Sequence, residues 1–145
     1  MTEKPKLLLA MREELPAGFL GPAEWARLDA VADVISRKAF TDFDDEAGAV
    51  ALQQADILLA AWGAPALTEV RLLRAPNLKM VAYAAASVRA IAPQAFWKRG
   101  ILITSAVSAM AVPVAEFTYA AIIMSGKDVF RIRDRQRAER GTGGF

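Results

Sequence analysis

Short apolar runs alternate with amphipathic segments along most of this chain, and that alternation limits what it can fold into. Residues 6–11, 56–61, 79–83 and 101–104 are apolar at most positions, as expected for strands buried on both faces of a sheet. Residues 33–37 are half polar, which is typical of an edge strand. The alternation predicts an α/β fold with five short parallel strands, right-handed crossovers and helices on both faces.

The segments between these runs carry helix start and stop signals. They predict four short helices, which lie after Pro22, over 47–54 behind three acidic residues, from Thr68 to Leu73, and over 93–99 ahead of Gly100. A last, long helix is predicted from Pro113 to about Arg137, because no further proline and only Gly126 interrupts it. We therefore predict a domain over 1–112, followed over 113–145 by the long helix and a basic tail.

The composition removes several classes of enzyme. The chain has 145 residues, which suits one domain with a real core, and it contains no cysteine and no histidine. Without cysteine there is no disulfide, no thiolate metal site and no cysteine nucleophile. Without histidine, a Ser-His-Asp triad and any histidine-bearing zinc site are excluded. No metal site is expected.

The net charge of +2 is concentrated in the C-terminal segment. Residues 127–140 contain six bases and three acids, so the rest of the chain is slightly acidic. Such a segment could bind a polyanion, or it could be the solvated end of a helix whose bases complement the helix dipole. We favour the helix end, because acids interleave with the bases. No nucleic-acid partner is therefore expected.

Two apolar stretches have features in common with a signal peptide or a membrane-spanning helix. The N-terminal run, 7–11, is too short for the core of a signal peptide and is followed by charged residues. The longest run, 106–124, is interrupted by Pro113 and Glu116, whereas a membrane span needs about 20 continuous apolar residues. We therefore expect a soluble, cytoplasmic chain with no membrane partner.

Functional groups of doubly wound sheets lie in the loops beyond the carboxyl ends of the strands. In this chain those loops are 12–18, 62–65, 84–91 and 105–112. The sequence contains neither the Gly-x-Gly-x-x-Gly motif of dinucleotide sites nor the glycine-rich phosphate loop of nucleoside triphosphatases. Nucleotide binding of either type is therefore not predicted for these residues.

Small residues fill the loop after the fourth predicted strand, which reads Ala84-Ala85-Ala86-Ser87-Val88. Side chains this small leave main-chain N–H groups accessible, and such groups can form a concave site for a carboxylate. Plain close packing of small residues is the alternative, and the spacing by itself favours it.

Each of three polar residues near the last predicted helix could have one of two roles. Ser105 and Ser108 could cap that helix or donate to a ligand, and capping is the commoner role. Glu116 could be a buried functional carboxylate, or it could be a first-turn partner of the helix dipole.

Five segments follow one another in an order that matches a known family. They are Ala55-Asp56-Ile57-Leu58-Leu59, Leu78-Lys79-Met80-Val81, Ala85-Ala86-Ser87-Val88, Arg99-Gly100-Ile101-Leu102-Ile103 and Val114-Ala115-Glu116-Phe117. This order resembles the N-terminal part of the D-isomer-specific 2-hydroxyacid dehydrogenases. The resemblance extends over 55–124, and its most telling motif is the Val-Ala-Glu start of a long helix after a Gly-Ile-x-Ile strand.

The resemblance implies a flavodoxin-like substrate (lid) domain, whose long helix crosses into a Rossmann domain that binds NAD or NADP. In the family, a small 2-hydroxy or 2-keto acid lies between the two domains and undergoes reversible hydride transfer. Main-chain amides of the loop after the fourth strand hold its carboxylate. By position, those amides belong to Ala86, Ser87 and Val88, and Trp62 and Gly63 flank the same cleft.

The chain also departs from the family pattern. Ala85-Ala86-Ser87 replaces a common Gly-x-Gly, and Met110 stands where an asparagine is common, so the identity of the substrate stays open. The family's catalytic arginine, its acidic partner and its histidine belong to the cofactor domain. We therefore expect a truncated chain that has no catalytic residue, binds no cofactor alone and is inactive alone. Its expected partner is a separate cofactor domain or a second copy. The alternative is a stand-alone α/β ligand-binding or regulatory module.

Overall fold

The structure is a computed structural model that describes residues 3–139. The chain divides into two compact units, Met1–Val107 and Ser108–Phe145. The first unit is built on five strands: β1 (Lys6–Ala10), β2 (Asp33–Val34), β3 (Ile57–Ala60), β4 (Met80–Tyr83) and β5 (Leu102–Ser105).

All neighbouring strands of this sheet are parallel, and their order is β2-β1-β3-β4-β5. That order is the flavodoxin-like one, in which the chain first adds a strand on one side of β1 and then continues on the other. The predicted α/β fold with a flavodoxin-like parallel sheet is therefore confirmed.

Five helices join the strands: α1 (Leu15–Phe19), α2 (Pro22–Val31), α3 (Glu46–Gln54), α4 (Glu69–Leu73) and α5 (Gln94–Trp97). The predicted cap is present at α4, where the Thr68 hydroxyl accepts from the Arg71 N–H. At α3, one of the three acidic residues before the helix is its cap, because the Asp45 carboxylate accepts from the Gly48 N–H at 2.6 Å. Helix α5, which corresponds to the last of the four predicted short helices, is shorter than predicted. It ends at Trp97, and Gly100 adopts a left-handed φ of +65° before β5.

The predicted edge strand is confirmed in place but was wrong in length. Only Asp33 and Val34 pair with β1, at its outer side. Beyond them the Lys38 N–H donates to the Ser36 hydroxyl at 3.0 Å. This local side-chain bond offers the backbone an alternative to the sheet ladder, so the strand stops early.

The core of the first unit is wholly apolar. Leu8 and Leu9 of β1 are fully buried although they point to opposite faces of the sheet, and Phe43 and Phe96 are the largest fully buried side chains beside it. Within residues 3–139 no polar or charged side chain is buried. The sheet is therefore held by packing, and its polar contacts lie at the rim.

Asp56 is one such rim contact, at the amino ends of three adjacent strands. Its carboxylate accepts the Lys6 N–H at 3.0 Å and pairs with the Lys79 ammonium at 3.0 Å. The hydrogen bond from Lys6, helped by Lys79, holds the pKa of Asp56 below its ordinary value of 3.8.

Because the folded-state pKa of Asp56 is lowered, its carboxylate contributes stability above pH 3.8 and loses that contribution as the pH falls through the lowered value. Asp56→Asn keeps an oxygen acceptor but removes the charge. We expect the difference in unfolding free energy between wild type and this variant, measured by urea titration, to be larger at about pH 6 than at about pH 3. An equal difference at both pH values would contradict the assignment.

Two helices follow β5: α6 (Val107–Gly126) and α7 (Val129–Glu139). The prediction of one helix from Pro113 to about Arg137 was wrong at its start and in its continuity. No helix breaker lies between Val107 and Pro113, and the fixed φ of proline is compatible with a helix. Pro113 therefore lies inside α6, although it donates no main-chain hydrogen bond.

The break between the two helices is made by Asp128. Its φ is +56°, a left-handed conformation that aspartate tolerates better than most residues. The Asp128 N–H ends α6 on the Ser125 carbonyl at 3.0 Å, and its own carbonyl accepts the Ile132 N–H to start α7. Asp128 also pairs with Arg131 one turn later.

Most residues of the helix α6 are apolar, and Glu116 is the one charged residue within it. No residue of α6 or α7 is buried, and Phe117, Tyr119 and Ile122 are each about two-thirds exposed or more. By length and composition alone, α6 is the one helix within residues 3–139 that meets the criteria for crossing a membrane. Those two criteria are weak evidence, because helices of soluble proteins also meet them.

Candidate functional site

The carboxyl ends of β3 and β4 bring the two predicted loops to the same edge of the sheet. The strands are hydrogen-bonded neighbours, and Ala60 at the end of β3 lies opposite Tyr83 at the end of β4. Trp62 and Gly63 follow the first of these residues, and the small-residue loop follows the second. Doubly wound sheets bind ligands outside the carboxyl ends of their strands.

The loop after β4 is anchored at both ends. The Ala84 N–H donates to the Ala60 carbonyl at 2.7 Å, and the Ala85 carbonyl accepts from the Ala106 N–H at 3.0 Å. At the far end the Val88 carbonyl accepts from the N–H groups of Ile91 and Ala92. The positions of the residues between these anchors are therefore set by β3, by the residue after β5, and by a single 3-10 turn (Val88–Ala90).

Between the anchors, the main-chain N–H groups of Ala86, Ser87 and Val88 donate to no acceptor within residues 3–139. Ala86 and Val88 are half-buried and Ser87 is exposed. Close packing of small residues applies to Ala85, which is almost fully buried. The three following amides are different, because an N–H group without a protein partner is free to bind water or an anion.

Trp62 and Gly63 form the turn that follows β3. The Trp62 carbonyl accepts the Arg12 N–H at 2.9 Å, and the Trp62 side chain is 48% exposed. Gly63 has a φ of +84°, and a Cβ there would lie 2.4 Å from the Arg12 Cγ. Glycine is therefore required at this position by both backbone conformation and close approach.

The structure changes three subsidiary predictions for the segment after β5. Ser105 is the last residue of β5, and Ser108 lies inside the first turn of α6, so neither stands at the position directly before the helix, where a cap would lie. Glu116 is exposed rather than buried, and it is the tenth residue of α6 rather than a first-turn residue. The earlier helix start explains all three errors.

A large concavity lies elsewhere, at the β2 side of the sheet, and the sequence did not indicate it. It has a volume of about 680 Å³ and is lined mainly by Glu13, Trp25 and the segment 36–42. Its Arg37 is already engaged, stacked 4.3 Å from the centre of the Trp25 ring and paired with Asp29 at 2.6 Å. Besides that arginine, three carboxylates and a single lysine line the same concavity, and this excess of negative charge disfavours an organic acid.

The strongest charged cluster ties α4 to the segment before α3. Arg71 donates to both carboxylate oxygens of Asp44, at 2.6 and 3.2 Å, and lies 3.6 Å from Asp42. The hydrogen bond from Arg71 lowers the pKa of Asp44, and the same bond raises that of Arg71. The cluster includes no residue of the two loops, and within residues 3–139 no group of acidic side chains could hold a metal ion.

The informative similarity of this chain to known proteins is to solved structures. No protein-family model matches the chain, and no curated protein is significantly similar to it. Among solved structures, the chain is similar to a 2-hydroxyacid dehydrogenase from Ketogulonicigenium vulgare Y25, with a TM-score of 0.65 and 20% sequence identity. The match covers 97% of this chain and 41% of that chain. At this identity the similarity establishes the shared α/β fold.

Proposed function

We propose that this chain is the substrate domain of an NAD(P)-dependent oxidoreductase that acts on D-2-hydroxy acids. The observation that carries the proposal is the set of three unpartnered amides, at Ala86, Ser87 and Val88, beside the Trp62–Gly63 turn. Successive main-chain N–H groups without a protein acceptor can together bind an anion such as a carboxylate. The fold shared with a 2-hydroxyacid dehydrogenase supports the same reading.

The chain spans 41% of the length of that dehydrogenase. We therefore propose the reaction of the whole enzyme together with the role of this chain in it. In it, the amides orient the carboxylate of a 2-hydroxy or 2-keto acid, and the side chains of Trp62 and Val88 border the bound acid. A separate cofactor domain supplies the groups that transfer the hydride and the proton.

The residues described here do not fit a dinucleotide. Within residues 3–139, the turn between β1 and α1 is Arg12-Glu13-Glu14 rather than a glycine-rich turn. Two acidic side chains at this helix start would repel a pyrophosphate. We therefore assign no cofactor-binding residue and no catalytic step to this chain, and propose that it binds neither NAD nor NADP by itself.

Amide-resolved NMR titration with pyruvate tests the proposal. We expect the largest shift changes at the N–H groups of residues 86–88. Ser87→Pro removes one of these N–H groups, and the φ of −89° at Ser87 lies about 10° beyond the range that proline adopts, so the change in backbone is small. Because a hydrogen bond to a charged group contributes about 1.5–3 kcal/mol, the variant should bind pyruvate about tenfold more weakly or worse.

Ser87→Ala is the matched control, because it removes the hydroxyl and keeps the N–H. It should bind pyruvate as wild type does. Equal loss in both variants would assign the contact to the hydroxyl and contradict an amide site. Pyruvate shifts confined to the concavity at Trp25 would instead support the alternative of a stand-alone ligand-binding module.

A further inference from the structure

The concavity at Trp25, on the β2 side of the sheet, has the size and the walls of a small-molecule site. Its volume of about 680 Å³ lies within the range of such sites, which is about 300–1,000 Å³. Its apolar wall is made by two half-buried rings, Trp25 and Phe40, and by two buried residues, Pro16 and Ala39. An apolar wall with a few polar groups around it is the usual form of a ligand pocket.

The segment after β2, which forms one side of the concavity, is held in place at both ends. The Phe40 N–H donates to the Leu9 carbonyl at 2.9 Å, and the Phe40 carbonyl accepts the Met11 N–H at 3.1 Å. Further along, Asp45 caps α3 through the Gly48 N–H. The concavity is therefore built by bonds within the chain and does not need a ligand to form it.

The charged side chains of the concavity make it negative. Arg37 pairs at 2.6 Å with Asp29, which is not a lining residue, so the charge of this arginine is balanced. Among the described lining residues, Lys38 is then the single base against three carboxylates. This excess of negative charge favours a cationic ligand over a neutral or anionic one.

The three carboxylates keep the capacity to bind a cation. The base next to Glu13 is Arg12, which pairs with Glu14 at 3.4 Å, so Glu13 has no basic partner within residues 3–139. Asp42 lies 3.6 Å from Arg71, whose guanidinium already donates to a neighbouring aspartate. The third carboxylate, the cap of α3, accepts a main-chain N–H. Each retains lone pairs for an ammonium group, which is a donor only.

The two rings of the concavity favour the same kind of ligand. The Arg37 guanidinium lies 4.3 Å from the centre of the Trp25 ring, so a cation already stacks on one of them. In the part of the chain that the structure describes, Phe40 has no cation over its ring. Phe40 can therefore receive the apolar body of a ligand or the CH₂ groups next to its charge.

We propose that the concavity at Trp25 binds an organic amine, in which a primary ammonium is attached to an aromatic or aliphatic body. The ammonium group lies among the carboxylates of Glu13, Asp42 and Asp45. The body packs on Phe40 and Pro16. An organic acid is repelled by the same carboxylates, and a neutral alcohol of the same shape lacks the charge that they attract.

Amide-resolved NMR titration with phenethylamine tests the site. We expect saturable shift changes at the main-chain amides of residues 36–42 and at the Trp25 indole N–H, and none at residues 86–88. The matched ligand is 2-phenylethanol, which has the same body with a hydroxyl in place of the ammonium. It should bind about tenfold more weakly or worse, because it loses the charge-assisted hydrogen bonds.

Glu13→Lys removes one carboxylate and adds a like charge to that of the ligand. It should weaken phenethylamine binding about tenfold or more. Glu46→Lys is the matched control, because Glu46 is also exposed and follows a lining residue without being one. At an ionic strength of about 0.15 M, screening should keep its Kd within about twofold of wild type. Circular dichroism checks that both variants retain the fold, which is expected since both side chains are exposed.

Three outcomes would overturn the proposal. One is the absence of saturable phenethylamine shifts at residues 36–42. Another is equal affinity for phenethylamine and 2-phenylethanol, which would show an apolar pocket without preference for a cation. The last is equal weakening by both lysine variants, which would indicate diffuse attraction to an acidic surface. The concavity shares no residue with the loop after β4, so a failure of pyruvate to bind leaves these results unchanged.

Discussion

Phe96→Ala is expected to lower the free energy of unfolding of the sheet unit by about 3–5 kcal/mol. Phe96 is fully buried, and its ring packs edge-to-face on Trp97 with centroids 5.5 Å apart. Alanine would leave a cavity that the neighbouring strands and helices cannot fill. Since domains of this size are stable by about 5–15 kcal/mol, the loss is a large share of the total. Urea unfolding followed by circular dichroism measures it.

Leu73→Ala is the control for this prediction. Leu73 lies on α4 and is 75% exposed, so its truncation should change the unfolding free energy by no more than about 0.5 kcal/mol. A loss for Phe96→Ala as small as that for Leu73→Ala would show that Phe96 does not fill the core between α5 and the sheet.

Gly48→Ala is expected to destabilise the chain, although helix propensity alone predicts a gain of about 1 kcal/mol. A Cβ at position 48 would lie 2.1 Å from the main-chain oxygen of Asp42 and 2.8 Å from the Asp45 carboxylate. The first contact is with backbone, so the cap of α3 and the preceding turn must move together. Such overpacking costs about 1–3 kcal/mol and occasionally more, and the same urea titration measures it.

Gly18→Ala is the matched control, and its expected effect on the free energy of unfolding has the opposite sign to that of Gly48→Ala. Gly18 also lies in a helix, α1, but an added Cβ there meets nothing within 4 Å. The variant should be neutral or more stable by up to about 1 kcal/mol, because alanine loses less backbone entropy than glycine on folding. If both variants gained stability, the close approach of Gly48 to the turn before α3 would be refuted.

The strands were predictable because their signals are local. A run such as Leu7-Leu8-Leu9 has no polar residue to place in solvent, so burial on both faces follows from the residues themselves. Thr68 likewise caps its helix through a bond to a residue only three positions away. The edge strand at Asp33 was predicted too long, because whether an edge residue pairs depends on the turn beyond it.

The helices after β5 were less predictable, because Pro113 has two permitted roles. Proline is common at the first turn of a helix, which favoured a start there. The free-energy cost of a proline inside a helix depends on what surrounds the carbonyl that loses its hydrogen bond. The neighbouring residues in the sequence do not indicate this. The break at Asp128 was missed because only its left-handed φ reveals it.

The candidate site was predictable in position but not in detail. Strand order places the loops of Trp62 and Ser87 side by side once a parallel sheet is assumed. The concavity near Trp25 was missed, since its lining comes from three segments that meet only in the fold. The proximity of Gly63 to the Arg12 side chain was missed for the same reason.

The loop after β4 presents N–H groups that every residue except proline possesses. Alanine scanning would therefore pass over it, since three of the four small residues before Val88 are already alanine. Substitutions there alter the shape and polarity around the amides while leaving the donors in place. Proline replacement, or exchange of a single amide for an ester by chemical synthesis, is the form of mutagenesis to which this surface responds.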